Sequence, residues 1–143
     1  MKQPSPKQTV IGSCRDISYE GFGVVSYDKN IVFVEGMFPG EEGEVELSYR
    51  RNGQWFGELR KLFNVSPHRV QPRCKICHAC GGCQFQQLDY ESQLLWKSQK
   101  VKEQFKKRGG MDIDVLPCLG MEEPYNYRNK IQMPFGKDRR GNI

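Results

Sequence analysis

At 143 residues, with 37% hydrophobic and 27% charged side chains, the chain carries enough apolar material for a modest core and too much for wholesale disorder. No stretch approaches the roughly 20 apolar residues of a membrane span, and the polar, proline-bearing start from Met1 to Pro6 lacks the apolar run of a secretory signal. These features exclude membrane insertion and predict a cytoplasmic, soluble monomer, while the formal net charge of +5 favours a polyanionic partner.

From Lys7 to Phe63 turn signals recur at intervals of about ten residues, the pattern of a small all-β barrel or sandwich. Five strands are predicted: Lys7 to Ile17, Gly23 to Tyr27, Ile31 to Glu35, Gly43 to Arg50 and Gln54 to Phe63. In the fourth, Val45, Leu47 and Tyr49 alternate with Glu44, Glu46 and Ser48, which predicts one buried face and one wet face. Asn52-Gly53 is the strongest hairpin signal, because both residues tolerate the positive φ of a type I′ turn. Ser66-Pro67 and Gln71-Pro72 break the pattern and mark a boundary.

Beyond that boundary Asp89 is placed to cap a helix that runs to about Arg108, with Tyr90, Leu94, Val101 and Phe105 as its apolar stripe. Lys106, Lys107 and Arg108 suit the negative end of its dipole, and Gly109-Gly110 stops it. After Pro117, the segment Tyr125 to Phe135 reads as a further strand. Its pairing partner is missing before Ile143, so the chain reads as a domain cut short.

Charge is unevenly placed. Up to Tyr49 there are four basic residues and eight acids, whereas from Arg50 to Lys75 seven basic residues face only Glu58. A second basic run extends from Lys97 to Arg108, where a solvated helix face explains it as well as a phosphate-binding edge does. Arg50, Arg51, Arg60 and Lys61 bracket Trp55 and Phe56 on the Asn52-Gly53 hairpin. Basic groups beside aromatic faces are the two ingredients of single-stranded RNA binding. Trp55 is accordingly a candidate stacking residue, although a core position suits it slightly better.

Of six cysteines, Cys74, Cys77, Cys80 and Cys83 fall within ten residues, a clustering that in a cytosolic chain points to metal or redox chemistry. Structural zinc sites usually separate two Cys-x-x-Cys knuckles by about 15 to 20 residues. Here only His78 and Ala79 intervene, a density closer to iron–sulfur ligation, with zinc or a set of reactive thiols as the alternatives. Gly81-Gly82 permits close wrapping of the backbone around sulfur. Cys14 and Cys118 read as incidental thiols, and neither His68 nor His78 reads as a ligand.

Two stretches carry a family resemblance. The run from Ile11 through Gly21, Gly23, Phe33-Val34 and Phe38-Pro39-Gly40-Glu41 to Ser66-Pro67-His68-Arg69 resembles the TRAM domain, an OB-like RNA-binding barrel. The run Pro72-Arg73-Cys74, Cys80-Gly81-Gly82-Cys83-Gln84-Phe85-Gln86-Gln87-Leu88-Asp89-Tyr90, Lys97 and Tyr127-Arg128-Asn129-Lys130 is similar to the RNA 5-methyluridine methyltransferases. Within them the likeness is to the bacterial ribosomal RNA (uracil-5-)-methyltransferases that carry an iron–sulfur cluster.

The resemblance implies a mainly β fold with an α/β continuation. Residues 7–65 would form the TRAM barrel, and residues 66–143 a cysteine-rich cluster loop, one amphipathic helix and the start of a truncated central domain. It assigns Cys74, Cys80 and Cys83 as three ligands of a four-iron cluster, leaves Cys77 without a matched role, and places the fourth ligand past Ile143. It further implies that the parent enzyme moves a methyl group from S-adenosylmethionine to carbon 5 of a uracil, with ribosomal RNA as the expected substrate. The nucleophilic cysteine, the proton-removing carboxylate and the cofactor loop belong to a C-terminal domain without counterpart in this chain, so the fragment itself is expected to be inactive. The competing expectations are a stand-alone RNA-binding module with a metal knuckle, and a zinc staple without any RNA role.

Overall fold

The computed structural model describes residues 5–80, 82–130, 132, 136, 137 and 141. Five strands form a closed barrel: β1 (Thr9–Ile17), β2 (Gly23–Tyr27), β3 (Asn30–Val34), β4 (Glu42–Arg51) and β5 (Gln54–Asn64). Around the barrel they run β1-β2-β3-β5-β4, and β4 pairs back onto β1. Every pairing is antiparallel except that of β3 with β5. Closure removes the exposed edges that a five-stranded sheet would otherwise present.

The interior is built by the alternating residues of each strand. Val25, Val32, Val34, Val45 and Leu47 are fully buried, with Met37, Tyr27, Cys14 and Trp55 completing the core. Gly57 is required by close packing, because a Cβ there would lie 2.7 Å from Val45 Cγ1 and 2.9 Å from the Glu46 carbonyl oxygen. At the hairpin, Asn52 and Gly53 adopt φ of 50° and 81°, as a type I′ turn demands.

The five-stranded barrel matches the expected fold class, and the differences are local. β1 starts at Thr9, because Lys7 sits in a turn with φ of 65°. β3 ends at Val34, where Gly36 turns the chain at φ of 69°. Tyr49 departs from the expected buried alternation: Leu47 pairs with Gly57 and Tyr49 with Phe56, leaving Ser48 as an extra residue. That bulge re-aims Tyr49 to the outer face, where it is half exposed.

After the barrel come a one-turn helix, α1 (Cys77–Cys80), and the long helix α2 (Tyr90–Gly109). Asp89 caps α2 by accepting a 2.7 Å bond from the Ser92 N–H, and Gly110 ends it in the left-handed conformation. The expected apolar stripe is only half right. Tyr90 and Leu94 are partly buried, but Val101 and Phe105 remain more than two-fifths exposed. The docked face is instead Gln93, Trp96 and Lys100. Gln93 donates to the Phe85 and Leu88 carbonyls, the Trp96 indole N–H donates to Ile17 O, and buried Lys100 reaches Asp16 Oδ2 at 2.9 Å.

A second small core of Ile17, Phe38 and Leu88, flanked by Phe85 and Trp96, joins the barrel to this helix. The expected strand over Tyr125 to Phe135 is not found in residues 125–130, which are irregular, and 131 and 133–135 lie outside the described residues. Among the described residues no helix is long and apolar enough to cross a membrane.

Candidate nucleic-acid interface

Four rings meet on the outer wall of the barrel. Phe33 on β3 and Phe56 on β5 are cross-strand partners with centroids 5.5 Å apart. Tyr49 stacks on Phe56 at 5.0 Å with planes only 7° from parallel, and Phe22 meets Phe56 edge-on at 5.6 Å. Such a platform covers three neighbouring strands because β3, β5 and β4 are adjacent in the barrel.

The platform opens onto a groove of about 710 Å³ that runs between the barrel and the cysteine segment. Arg60, Lys61 and Arg69 line it, as do Cys77, Cys83, Gln84 and Gln87. Its volume falls within the range of about 300–1,000 Å³ that suits small-molecule-sized groups.

The basic candidates divide once their surroundings are compared. Arg50 and Arg51 are exposed at the hairpin, with Arg50 Nε donating to the Gly53 carbonyl at 3.1 Å. Lys61 is exposed and lies 5.7 Å from the Phe63 ring centroid. Arg60 is held by two acids, Glu46 at 3.2 Å and Glu58 at 3.0 Å. The hydrogen bond that Arg60 donates to Glu46, and then the charge of Glu46, push the Arg60 guanidinium above its usual range.

Trp55 is corrected to the core. It pairs with Val32 inside the barrel and is only 8% exposed, so no face is open to a base. The ring that points outward from that dipeptide is Phe56. Phe22, Phe33 and Tyr49 do not stand out as candidates in the sequence: the β3 run hides Phe33 because it is apolar throughout, and the bulge hides Tyr49.

Arg69 ties the segment after the barrel to the groove. Its guanidinium donates to Glu41, to the Gly36 carbonyl at 2.6 Å and to the Gln87 side-chain oxygen, and stacks 4.8 Å from the Phe38 ring centroid. Gln87 therefore reaches the groove from a fixed base.

The cysteines occupy different environments. Cys77 is buried, with the Gln87 amide 4.0 Å from its sulfur, while Cys80 and Cys83 are exposed and Cys74 is intermediate. The Cys80 sulfur lies over Gly82, where an added Cβ would be 3.4 Å away. Among the described residues, no three cysteine, histidine or carboxylate side chains are placed to hold a metal ion. Tyr127 and Arg128 come back toward this loop: the Arg128 guanidinium is pushed up first by a hydrogen bond with Tyr127, and less by the nearby Cys83 and Cys80. Arg73 anchors the return by stacking 4.7 Å from the Tyr125 centroid and by pairing with Glu123 at 3.3 Å.

Cys14 is a core thiol. Burial pushes it up to about 12, and its S–H faces the Asp16 and Met37 carbonyls, so it is unreactive at neutral pH. Cys118 lies beside α2, its N–H bonded to the Ser98 hydroxyl.

No family model matches the chain. In sequence it is 42% identical over 120 residues to a Clostridium tetani protein described as an uncharacterized RNA methyltransferase, covering 84% of this chain and 26% of that protein. Relatives with the same description are 39% identical in Bacillus cereus, over 88% of this chain and 28% of theirs, and 34% identical in Halalkalibacterium halodurans, over 99% and 32%. The chain thus spans between 26% and 32% of the length of these relatives. In structure it is similar to the Pyrococcus abyssi tRNA (uracil-54, C5)-methyltransferase crystallised with S-adenosyl-L-homocysteine, with a TM-score of 0.50 and 30% identity. That match covers 76% of this chain and 23% of the other. The likeness to RNA methyltransferases that the barrel and cysteine motifs implied is borne out by these relatives, and the RNA 5-methyluridine methyltransferase family fits them.

Proposed function

We propose that this chain is the RNA-gripping part of an S-adenosylmethionine-dependent RNA uracil-C5 methyltransferase, acting on ribosomal RNA. The observation that carries this reading is the 34–42% identity to RNA methyltransferases over 84–99% of the chain. The solved relative with a tRNA uracil in its name supports the C5 chemistry and leaves the choice between RNA classes to experiment. Within the enzyme these residues would hold RNA while a base is presented, unstacked, to chemistry supplied elsewhere.

The same reading assigns Cys74, Cys80 and Cys83 to an iron–sulfur cluster. Its support is their spacing and the adjoining glycines in the sequence. Protein purified without air is expected to be brown and to contain iron and sulfide, with Cys80→Ala and Cys83→Ala colourless. Stoichiometric zinc without iron or sulfide would remove this assignment.

The function itself is tested by titrating the 143-residue chain with fluorescent single-stranded ribosomal RNA fragments at low salt, and separately by supplying labelled S-adenosylmethionine. Salt-sensitive binding without methyl incorporation is expected. Absence of any RNA binding at low salt would overturn the reading, and methyl transfer by this chain would show that it is more than the gripping part.

A further inference from the structure

We propose that the groove beside Tyr49 and Phe56 takes the unpaired bases of single-stranded RNA, with the phosphates running outside it along the Arg50-Arg51 hairpin. This rests on the RNA-binding reading above and names the atoms of the ligand that the groove receives.

β4 buries Val45 and Leu47, and continued alternation would bury Tyr49 as well. Instead the extra residue Ser48 turns the ring out onto the groove wall, at the loss of one regular ladder position. Tyr49 stays 52% exposed even though one face lies nearly parallel to Phe56 at 5.0 Å. An exposed ring held nearly parallel to a second ring on a barrel wall offers a stacking surface for a flat, weakly polar group.

Of the basic side chains that line the groove, Arg60 is paired with Glu46 and Glu58 and Arg69 with Glu41, and Glu35 lines the wall along with Lys61. A nearly neutral, ring-floored groove suits bases better than phosphates. Arg50 and Arg51 continue β4 directly beyond Tyr49, so a strand whose bases enter the groove carries its backbone toward them.

The test compares the 143-residue chain with Tyr49→Ala and Tyr49→Phe in fluorescence anisotropy with an oligouridine of about 10 nucleotides, inside the site sizes that such barrels cover. Because Tyr49 is exposed, both variants should keep the parent circular dichroism spectrum. Tyr49→Ala is expected to weaken binding about five- to a hundredfold, with the slope of log affinity against log salt unchanged, because the ring meets bases and not phosphates. Tyr49→Phe should restore the affinity. Oligouridine carrying 5-iodouridine should crosslink to Tyr49 or Phe56 on irradiation. If the parent binds and Tyr49→Ala binds equally well, or the crosslinks fall only on α2, the stacking site is wrong while the RNA-binding reading stands. If the parent binds no RNA, both fall together.

Discussion

Arg69 grips Glu41 through two parallel bonds, Nε to Oε1 at 2.6 Å and Nη2 to Oε2 at 2.8 Å, and thereby fastens the segment after the barrel to the turn before β4. The Glu41 side chain is wholly buried and also accepts from the backbone N–H groups of Phe38 and Ser66. Removing the cation leaves a buried carboxylate with two neutral donors. Arg69→Ala is expected to cost about 3–5 kcal/mol of unfolding free energy. Arg69→Lys should recover only part of it, since an ammonium cannot reach Glu41, Gly36 and Gln87 from one planar fork. Urea unfolding decides the matter: an unchanged midpoint in Arg69→Ala would show the joint to be incidental.

Lys100 is the corresponding joint for the long helix. Burial alone would lower its pKa, but hydrogen bonds to Asp16 and Glu103 outweigh that and raise it above the ordinary 10.5. A raised folded-state value means that its contribution is complete below about 10.5 and is lost as pH rises through the folded value. Lys100→Ala is expected to cost about 1–3 kcal/mol, because Asp16 is half exposed and regains water. Near-ultraviolet circular dichroism of Trp96 should report loosening of the helix. A parent-like spectrum and midpoint would refute the docking role.

Asp89 shows the opposite sign. Burial would push its carboxyl up, yet the Ser92 backbone and side-chain bonds and the His68 contact at 2.9 Å hold it below the ordinary 3.8. Its stabilisation is therefore present above 3.8 and is lost as pH falls through the lower folded value. Asp89→Ala should cost about 1 kcal/mol at neutral pH. Asp89→Asn keeps a capping oxygen, so it should cost less and lose the acid-side dependence. An Asn variant with an undiminished acid transition would place that dependence on another carboxylate.

These joints also explain which parts of the molecule are legible in the sequence. The strand positions of the barrel, the Asn52-Gly53 turn and both ends of the helix follow from local rules, and they lie within about two residues of where those rules put them. The docked face of the helix does not follow from apolar spacing. It is held through Gln93, the Trp96 indole and Lys100, whose partners are carbonyls and a carboxylate on distant segments. Tyr49 escapes the alternation rule for a related reason, since a bulge at Ser48 depends on how β4 is paired with β5. The residues that line the groove come from strands and loops far apart in the chain, from Phe22 to Gln87, and no spacing rule in one sequence connects them.

The basic residues of the hairpin share the electrostatic work unequally. Counterion release makes the logarithmic slope of affinity against salt fall by about 0.7 for each single-strand phosphate that the protein ceases to neutralise. Of the four basic residues named from the sequence, all exposed, Arg60 carries two acidic partners, at 3.2 and 3.0 Å, whereas among the described residues no ion pair is seen for Arg50, Arg51 or Lys61. A phosphate approaching Arg60 must displace Glu46 or Glu58, so little net counterion release is available there. Arg50→Gln with Arg51→Gln is expected to flatten the slope by about one unit or more, and Lys61→Gln by less than that. Arg60→Gln should leave it nearly unchanged. The same series also separates charge from stacking, because none of these substitutions touches the Tyr49 ring. Anisotropy titrations at several salt concentrations provide the slopes. If Arg60→Gln flattens the line as much as the Arg50 and Arg51 pair does, RNA breaks the acidic pairing on binding and the phosphates pass through the groove rather than beside it.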